Sequence, residues 1–362
     1  MSTEGLPRFS AAEMQRRHRA IEALCAEHGV DALLVFGHSG SRRHYQADIH
    51  YLTELAPFHE SYLLVQPQRT PVLWITHHNH YASARETAST VEDIRRASRT
   101  AHVELVGELQ ARALAKARIG LVGPFFYQEL DAERAALPEA SWKDLSLPYR
   151  KVRVRKSAEE LDFQRKAGAG TDAVMDAIRR AIRPGVEERD LLVLSEEVAW
   201  KSGCTPNFLY LNSTPMQASE SCVPNQNLSR RKLRAGDVIN TELTVSYGMY
   251  SAQLLRPFFL GEPTPEYARL YTLLKQVHDR LFAAIRAGVS LRELYDITLA
   301  FRDAGYTTID GVLHGFGVDI LPPGIGPKFA PPPADVVLER DTTVVLQPNP
   351  TTPDEKMGMQ LG

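Results

Sequence analysis

Two polar residues on one predicted hairpin, Glu242 and Gln253, are the first place where this sequence could do chemistry. Residues 236–262 read GDVINTELTVSYGMYSAQLLRPFFLGE, in which apolar residues alternate up to Tyr247 and Gly248 fits a tight turn. This pattern predicts two antiparallel strands joined by a hairpin. Such a hairpin can aim both side chains into one pocket. That pocket then holds one carboxylate where a divalent ion needs several anionic oxygens.

The hairpin belongs to the second of two predicted domains, residues 149–362. A long helix should begin after Ser157, with Glu160 completing a capping box, and should end before Pro184. The other helices of this domain are predicted over residues 187–201, 266–286 and 291–303. Two closing strands are predicted over residues 344–350 and 356–362, after an irregular segment rich in Pro and Gly over residues 321–333.

The first domain is predicted to be an α/β domain covering residues 1–148. Its predicted helices cover residues 11–28 and 128–137, and its predicted strands cover residues 31–36, 61–67, 71–76 and 117–123. The stretch LPYRKVRVRK over residues 147–156 is polar and contains a proline, which is typical of an extended linker. The whole chain is therefore expected to be an α/β (α+β) protein of two domains.

Composition limits the classes of partner. The 362 residues carry a net charge of −2 and 43% hydrophobic residues, which is ordinary for a globular protein and favours neither nucleic acid nor a membrane as partner. Three separated cysteines, Cys25, Cys204 and Cys222, suit neither a disulfide framework nor a zinc knuckle. No apolar leader and no run of about 18 apolar residues occurs. We therefore expect a cytoplasmic protein.

Several segments carry a family resemblance. In chain order they are RKSAEELDFQRKA, IRPGVEERDLL, LRAGDVINTEL, YGMYSAQLLRPFFLGEP, LHGFGVD and VVLQPNP. In order and spacing they resemble the creatinase/aminopeptidase P group of pita-bread proteins, and the resemblance covers nearly the whole chain. It implies a creatinase-type N-terminal domain, then a pita-bread domain with a curved antiparallel sheet flanked by helices, and a homodimer.

The resemblance also shows where a metal pair would be held in metal-dependent relatives. Those relatives use two Asp, one His and two Glu, and the matching positions here are Glu242, Gln253, His314, Gln347 and Gln360. The family's catalytic His after a proline falls at Asn225, and a second His falls at Leu321. Glutamine offers only a neutral oxygen, and its amide hydrogens repel a cation. We therefore expect no metal pair and no cofactor.

Loss of the metal need not end catalysis, since creatinase is a metal-free member that likewise has Glu at the position of Glu242. Creatinase depends, however, on the His that falls at Asn225 and on a Glu that falls at Gln347. Creatine hydrolysis is therefore not expected.

Two functions follow from these residues. The first is a metal-independent creatinase-like hydrolase that cleaves a C–N (amide or amidine) bond of a small polar molecule, with Glu242 and His314 as acid and base. The residues then expected to bind the substrate are Gln253, Gln347, Gln360, Asn225 and Arg256. The alternative is a catalytically inactive pita-bread pseudoenzyme that binds a ligand or a protein.

Each candidate also has a structural interpretation. Glu242 could be a strand carboxylate bonded to its neighbours, and His314 could be held by a backbone carbonyl. The glutamines could be neutral remnants of a metal site. Asn225 could form a turn, and Arg256 could make a structural pair.

Further polar groups lie outside this set. Arg42 and Arg43, beside His44, could reach a partner's pocket in a dimer, although a solvated basic turn is the simpler interpretation. The cluster of His77, His78 and His80 has metal-like spacing, but loop histidines are commoner than sites. Cys222 is interpreted as a small buried residue. The chain ends at Gly362, where the family would continue, so either the natural chain is longer or the last sheet edge is short.

Overall fold

A computed structural model describes residues 5–39, 43–88, 90–99 and 101–362, and of residues 43 and 44 only the backbone is described. The chain divides into two compact units, Met1–Arg153 and Val154–Gly362. Each unit has its own hydrophobic core. Within the described residues, no helix combines the length and the apolar character needed to cross a lipid bilayer.

The first unit is built around one mixed sheet. Its helices are α1 (Ala11–His28), α2 (Ala47–Thr53), α3 (Tyr81–Thr87), α4 (His102–Ala111), α5 (Tyr127–Ala136) and α6 (Ser146–Val152). Its strands are β1 (Ala32–Gly37), β2 (Ser61–Val65), β3 (Val72–Ile75), β4 (Asp93–Arg96), β5 (Arg118–Val122) and β6 (Ser141–Asp144). They lie in the order β4-β3-β2-β1-β5-β6, and β2 is antiparallel to both β1 and β3.

Alternate residues of the central strand β1 belong to two separate cores. Leu33 and Val35 face one core, whereas Leu34 and Phe36 face the other. A strand that is covered on both faces is apolar throughout, which explains the run ALLVFG. The predicted strand over residues 31–36 is therefore confirmed to within one residue at each end.

The predicted linker over residues 147–156 is wrong in its first half, where α6 lies. Pro148 is in the first turn of this helix, where a missing N–H breaks no helical hydrogen bond. The division between the units lies after Arg153, whereas the predicted boundary at residue 148 falls inside α6.

The second unit carries the candidate site. Its helices are α7 (Ala158–Ala181), α8 (Glu188–Lys201), α9 (Pro265–Ala284) and α10 (Leu291–Asp303). Its strands are β7 (Thr205–Pro215), β8 (Asp237–Tyr247), β9 (Tyr250–Phe259), β10 (Thr307–Thr308), β11 (Leu313–Phe316), β12 (Ile320–Ile325), β13 (Val344–Leu346) and β14 (Pro350–Thr351). They form three sheets, β7-β8-β9, β12-β11-β13 and β10-β14.

The predicted capping box at the start of α7 is confirmed. The Ser157 hydroxyl accepts from the N–H of Glu160, and the Glu160 carboxylate accepts from the N–H of Ser157. This arrangement satisfies two N–H groups that have no partner inside the helix. The helix α7 packs on the sheet β7-β8-β9, together with α8.

The predicted hairpin is also confirmed. Its turn is Gly248-Met249, and both residues have positive φ angles, 54° and 70°. Such a turn matches the twist of antiparallel strands. On β8, Ile239, Leu243 and Val245 pack into the core beneath α7 and α8. Since side chains alternate along a strand, the residues at even positions face the other way.

Two predictions near the chain end are wrong in part. The segment over residues 321–333 begins as the strand β12, whose prolines are tolerated because β12 is an edge strand. Residues 356–362 form no regular strand, although their backbone makes a bridge between Thr351 and Gly358 and reciprocal bonds between Leu255 and Gly362. The N–H groups of Met359 and Leu361 also donate to the carbonyls of Pro350 and Pro348.

Candidate active site

The hairpin β8–β9 brings Glu242 and Gln253 together on the sheet face opposite to α7 and α8. Glu242 is paired with Leu255 across the two strands, so Gln253 is its diagonal neighbour. The Gln253 amide Nε2 donates to Glu242 Oε1 at 2.6 Å. Diagonal neighbours on antiparallel strands are within reach of long side chains. The hairpin thus aims both side chains into one site, as the sequence predicted.

The pKa of Glu242 is raised above the ordinary value of a carboxyl group. Burial is the largest cause that raises its pKa, and the negative charge of Asp310 raises it further. The hydrogen bond from Gln253 acts in the opposite direction, and the resulting pKa is about 7. A carboxyl group with this pKa can both give and take a proton near neutral pH.

His314 lies on β11 in the neighbouring sheet. Its Nδ1 atom is 3.0 Å from the carbonyl oxygen of Gly315. Because a carbonyl oxygen only accepts, Nδ1 must carry the hydrogen, and the neutral ring then presents a bare Nε2. Burial lowers the pKa of His314, while Gly315, Asp310 and Gln347 act to raise it.

A small apolar cluster joins the sheet of Glu242 to the sheet of His314. It consists of Leu255, Phe316 and Val345. Leu255 is the cross-strand partner of Glu242, and Val345 is the cross-strand partner of His314. Packing between these partners connects the two sheets that carry the candidate catalytic groups.

Asp310 is a site residue that the sequence analysis did not identify. It influences the pKa of both Glu242 and His314, and its Oδ2 atom accepts from Gln347 Nε2 at 3.3 Å. Gln347 Nε2 also donates to the carbonyl of Gly311 at 3.0 Å, and Gln347 is only 3% exposed. The one available signal was that Asp310 stands four residues before His314.

Asn349 holds the segment that contains Asp310. Its Oδ1 atom accepts from the backbone N–H groups of Ile309 and Asp310, both at 3.1 Å. Its Nδ2 atom donates to the carbonyls of Asp310, Gly311 and Gln347. Asn349 is fully buried, so these five bonds fix the position of Asp310 relative to β13.

Gln360 belongs to the last residues of the chain, whose backbone is bonded to two elements of the site. The N–H of Leu361 donates to the carbonyl of Pro348, and Gly362 pairs with Leu255 on β9. Gln360 is therefore held between two elements of the site and is 2% exposed. Its Oε1 atom is buried and has no hydrogen-bond partner among the described residues.

Two asparagines extend the polar row beside Glu242, and the sequence analysis did not identify them either. Asn240 is two residues before Glu242 on β8, and Asn212 of β7 is its cross-strand partner. Asn240 Nδ2 donates to the carbonyl of Gly358, whereas its Oδ1 atom has no partner within the described chain. Both amide atoms of Asn212 are buried and likewise have no partner among the described residues.

Asn225 and Arg256 lie apart from this row. Asn225 is exposed, and its Oδ1 atom accepts from the N–H of Asn227, which is the geometry of a turn-forming residue. Arg256 is at an odd step from Gln253 on β9, so it faces the helix side of the sheet. There it donates to the carbonyls of Leu255 and Gly362. These placements agree with the structural interpretations of a turn residue and a structural pair, and substrate binding by the two residues stays a prediction.

The donor set does not fit a pair of divalent ions. Gln253 aims an amide donor at the Glu242 carboxylate, where a second anionic ligand would be needed. Asp310, whose charge acts on the pKa of Glu242, already accepts from Gln347. Among the described residues, the atoms of Glu242, Asp310 and His314 do not form a group close enough to share one ion.

The remaining sequence candidates are the basic residues of the first unit and Cys222. Arg42 is outside the described residues, and of Arg43 and His44 only the backbone is described. Cys222 is buried, and burial raises the pKa of its thiol, which suits the interpretation of a small core residue.

Both units of the chain match known protein families. Residues 162–362 match Metallopeptidase family M24, and residues 17–155 match the Creatinase/Prolidase N-terminal domain. The probable dipeptidase PepE of Mycobacterium tuberculosis is 30% identical over 147 residues, which are 40% of this chain and only 38% of that protein.

Two solved structures share the fold over almost the whole chain. A prolidase from Thermococcus sibiricus has a TM-score of 0.83 at 17% identity, covering 98% of this chain and 94% of that one. The N-terminal domain of FACT complex subunit SPT16 from chickpea (Cicer arietinum) has a TM-score of 0.74 at 14% identity, covering 98% and 93%. The predicted fold class, a creatinase-type domain followed by a pita-bread domain, is thereby confirmed, and the chain belongs to metallopeptidase family M24.

Proposed function

We propose that this protein is a metal-independent hydrolase that cleaves a C–N bond, amide or amidine, in a small polar molecule. The observation that carries the proposal is the state of Glu242. This carboxyl group has a pKa of about 7, accepts from an amide instead of facing a second carboxylate, and belongs to the same electrostatic cluster as His314. Groups with pKa values near the working pH are the ones that acid–base catalysis requires.

The chemistry assigns a separate role to each group. His314 Nε2 takes a proton from a water molecule, whose oxygen then forms a bond to the carbonyl or amidine carbon. Glu242 in its protonated form gives its proton to the nitrogen as the C–N bond breaks. The proton on His314 later returns to Glu242 through solvent, so the net reaction consumes one water. Gln347 acts to raise the pKa of His314, which stabilises the imidazolium formed in the first step.

The unpaired oxygens around the site support a substrate that donates hydrogen bonds. Asn240 Oδ1 and Gln360 Oε1 are buried acceptors without a donor among the described residues. Leaving such an atom unpaired costs about 1–3 kcal/mol, so a ligand that supplies N–H groups there is favoured. Primary amides and amidines carry such groups on the nitrogen that is to be released.

A ligand screen followed by turnover tests the proposal. Amides, amidines, guanidines, amino acids and dipeptides are tested for an increase in melting temperature, and each hit is assayed for amine or ammonia release in the presence of a chelator. We expect turnover that Glu242→Ala and His314→Ala abolish. The matched controls Glu266→Ala and His278→Ala, on α9, should keep it. Turnover that requires an added metal, or that survives both site variants, contradicts the proposal.

The second candidate function is a pseudoenzyme that binds a ligand or a protein. It is favoured by the amide groups of Gln253, Gln347 and Gln360, which bring no charge, and by the shared fold of a FACT complex subunit domain. In the same screen, a hit that binds in the pita-bread unit without being turned over supports this function. The homodimer, the cytoplasmic location and the absence of nucleic-acid and membrane partners stay predictions.

A further inference from the structure

A second polar cluster lies in the first unit, at one end of the β2–β3 hairpin. The ladder of this hairpin ends at the pair Ser61 and Ile75. Beyond it the chains stay side by side, because the Thr76 hydroxyl donates to the carbonyl of Glu60 at 2.8 Å. One step further, the rings of His59 and His77 are stacked, with centroids 3.4 Å apart and planes 10° apart.

The cluster gathers three metal-binding side chains from two distant segments. The ligand atoms of His59, Glu60 and His77 all lie within 4.8 Å of one another, and all three residues are half-buried. Within the part of the chain that the structure describes, no other three His, Cys, Asp or Glu side chains come as close. His80 is next to them, with its ring 5.3 Å from that of His59.

The structure corrects the grouping suggested by the sequence. His77, His78 and His80 stand close together in the chain, but His78 is exposed and its Nε2 atom lies 3.3 Å from the carbonyl of Ala97. The partners of His77 are instead His59 and Glu60, which precede β2. Chain proximity alone could not reveal this, because the pairing of β2 with β3 creates it.

We propose that His59, Glu60 and His77 form a binding site for one divalent transition-metal ion, with Zn²⁺ as the reference ion. Two imidazoles and one carboxylate are a donor set that suits zinc. Zinc bonds of about 2.0–2.2 Å place tetrahedral ligand atoms roughly 3.5 Å apart. A zinc ion lies in the plane of each ring that binds it, so the rings of His59 and His77 must turn out of their stacked arrangement to bind one ion. His80 is positioned to act as a fourth ligand, or a water completes the shell.

One feature of the surroundings suits metal uptake. A cavity of about 200 Å³, lined in part by Phe58, His59 and His80, lies beside the cluster and gives an ion a path of entry. This site is independent of the proposed hydrolase function.

Calorimetric titration of the untagged full-length protein with Zn²⁺ tests the proposal. We expect one Zn²⁺ per chain, and an affinity at least about 100-fold lower in His59→Ala and in His77→Ala, since even outer-shell changes cost 10–100-fold. His78→Ala is the matched control in the same turn and should bind like the wild type. Variants at Glu242 and His314 should also keep the full affinity, which separates this site from the pita-bread site.

Spectroscopy with Co²⁺ gives a second measurement that does not depend on how well a variant folds. The visible bands of Co²⁺ bound to the wild type should show nitrogen ligation and disappear on addition of Zn²⁺. Absence of Zn²⁺ binding by the wild type overturns the proposal. So does unchanged affinity in correctly folded His59→Ala and His77→Ala, or an equal loss in His78→Ala.

Discussion

Glu242 is the central residue of the candidate site in the pita-bread unit. Its carboxyl group is bonded to an amide donor, lies within the field of Asp310, and has a pKa of about 7 against an ordinary value of 4.5. The hydrogen bond from Gln253 therefore agrees with the structural interpretation, in which Glu242 is a strand carboxylate bonded to its neighbours. It does not account for the raised pKa, which makes the group an acid near neutral pH.

The raised pKa of Glu242 predicts a pH dependence of stability. The folded protein binds the proton more tightly than the unfolded chain, so this contribution is complete below pH 4.5 and is lost as the pH rises through about 7. The wild type should have a higher free energy of unfolding than Glu242→Gln at low pH, and this difference should shrink by up to about 3 kcal/mol between pH 5 and pH 8. Urea unfolding of both proteins at the two pH values measures it, and an equal difference at both contradicts the assignment.

The charge of Asp310 acts on the pKa values of two residues, so its removal should change both. Removing its charge in Asp310→Asn should lower the pKa of Glu242 from about 7 and move the pKa of His314 further below its ordinary value, because Asp310 raises both. NMR titration of the carboxyl carbon and of the imidazole ring follows the two groups. Asp303→Asn, at the exposed end of α10, is the control. If neither pKa moves in Asp310→Asn, Asp310 is not part of the site.

At the scale of elements, the site depends on irregular chain more than on strands. The hairpin β8–β9 could be predicted because it has strict alternation and a glycine turn. The position of Asp310 could not, because it is set by the buried amide of Asn349, which reaches it from a different segment. Gln360 is similar, since it lies outside any regular strand and its neighbours Leu361 and Gly362 are bonded to Pro348 and Leu255.

The anchoring role of Asn349 predicts a large loss of stability in Asn349→Ala. This change removes five hydrogen bonds in a fully buried place and leaves backbone groups unpaired, which should cost about 2–4 kcal/mol. Chemical denaturation measures the loss. Asn225→Ala, an exposed turn residue, should cost less than about 1 kcal/mol. Similar losses in the two variants would show that Asn349 does not hold the site.

Prolines are the reason why two further elements could not be predicted from the sequence. The helix α6 contains Pro148 in its first turn, and the edge strand β12 contains Pro322 and Pro323. In both places the missing N–H breaks no required hydrogen bond. In a sequence pattern, proline indicates the end of a helix or strand. Whether proline actually destabilises an element depends on whether its missing N–H was needed as a hydrogen-bond donor, and the tertiary structure decides this.

At the scale of the whole molecule, the order of elements and the fold class could be predicted, while the gathering of distant polar groups could not. Helices α1 and α10 have the predicted ends, because local caps and periodicity set them. The cluster of His59, Glu60 and His77 arises only when β2 pairs with β3. Each of the two units thus carries its own candidate site, one for acid–base chemistry and one for a metal.

These two sites make the metal content of the chain the most direct test. The double variant His59→Ala/His77→Ala is purified from medium supplemented with Mn²⁺, Co²⁺ and Zn²⁺ and measured by elemental analysis. We predict one tightly bound ion per chain in the wild type and a substoichiometric amount in the double variant, because the pita-bread site lacks the carboxylates for an ion pair. Two ions per chain in the double variant would contradict the metal-independent function.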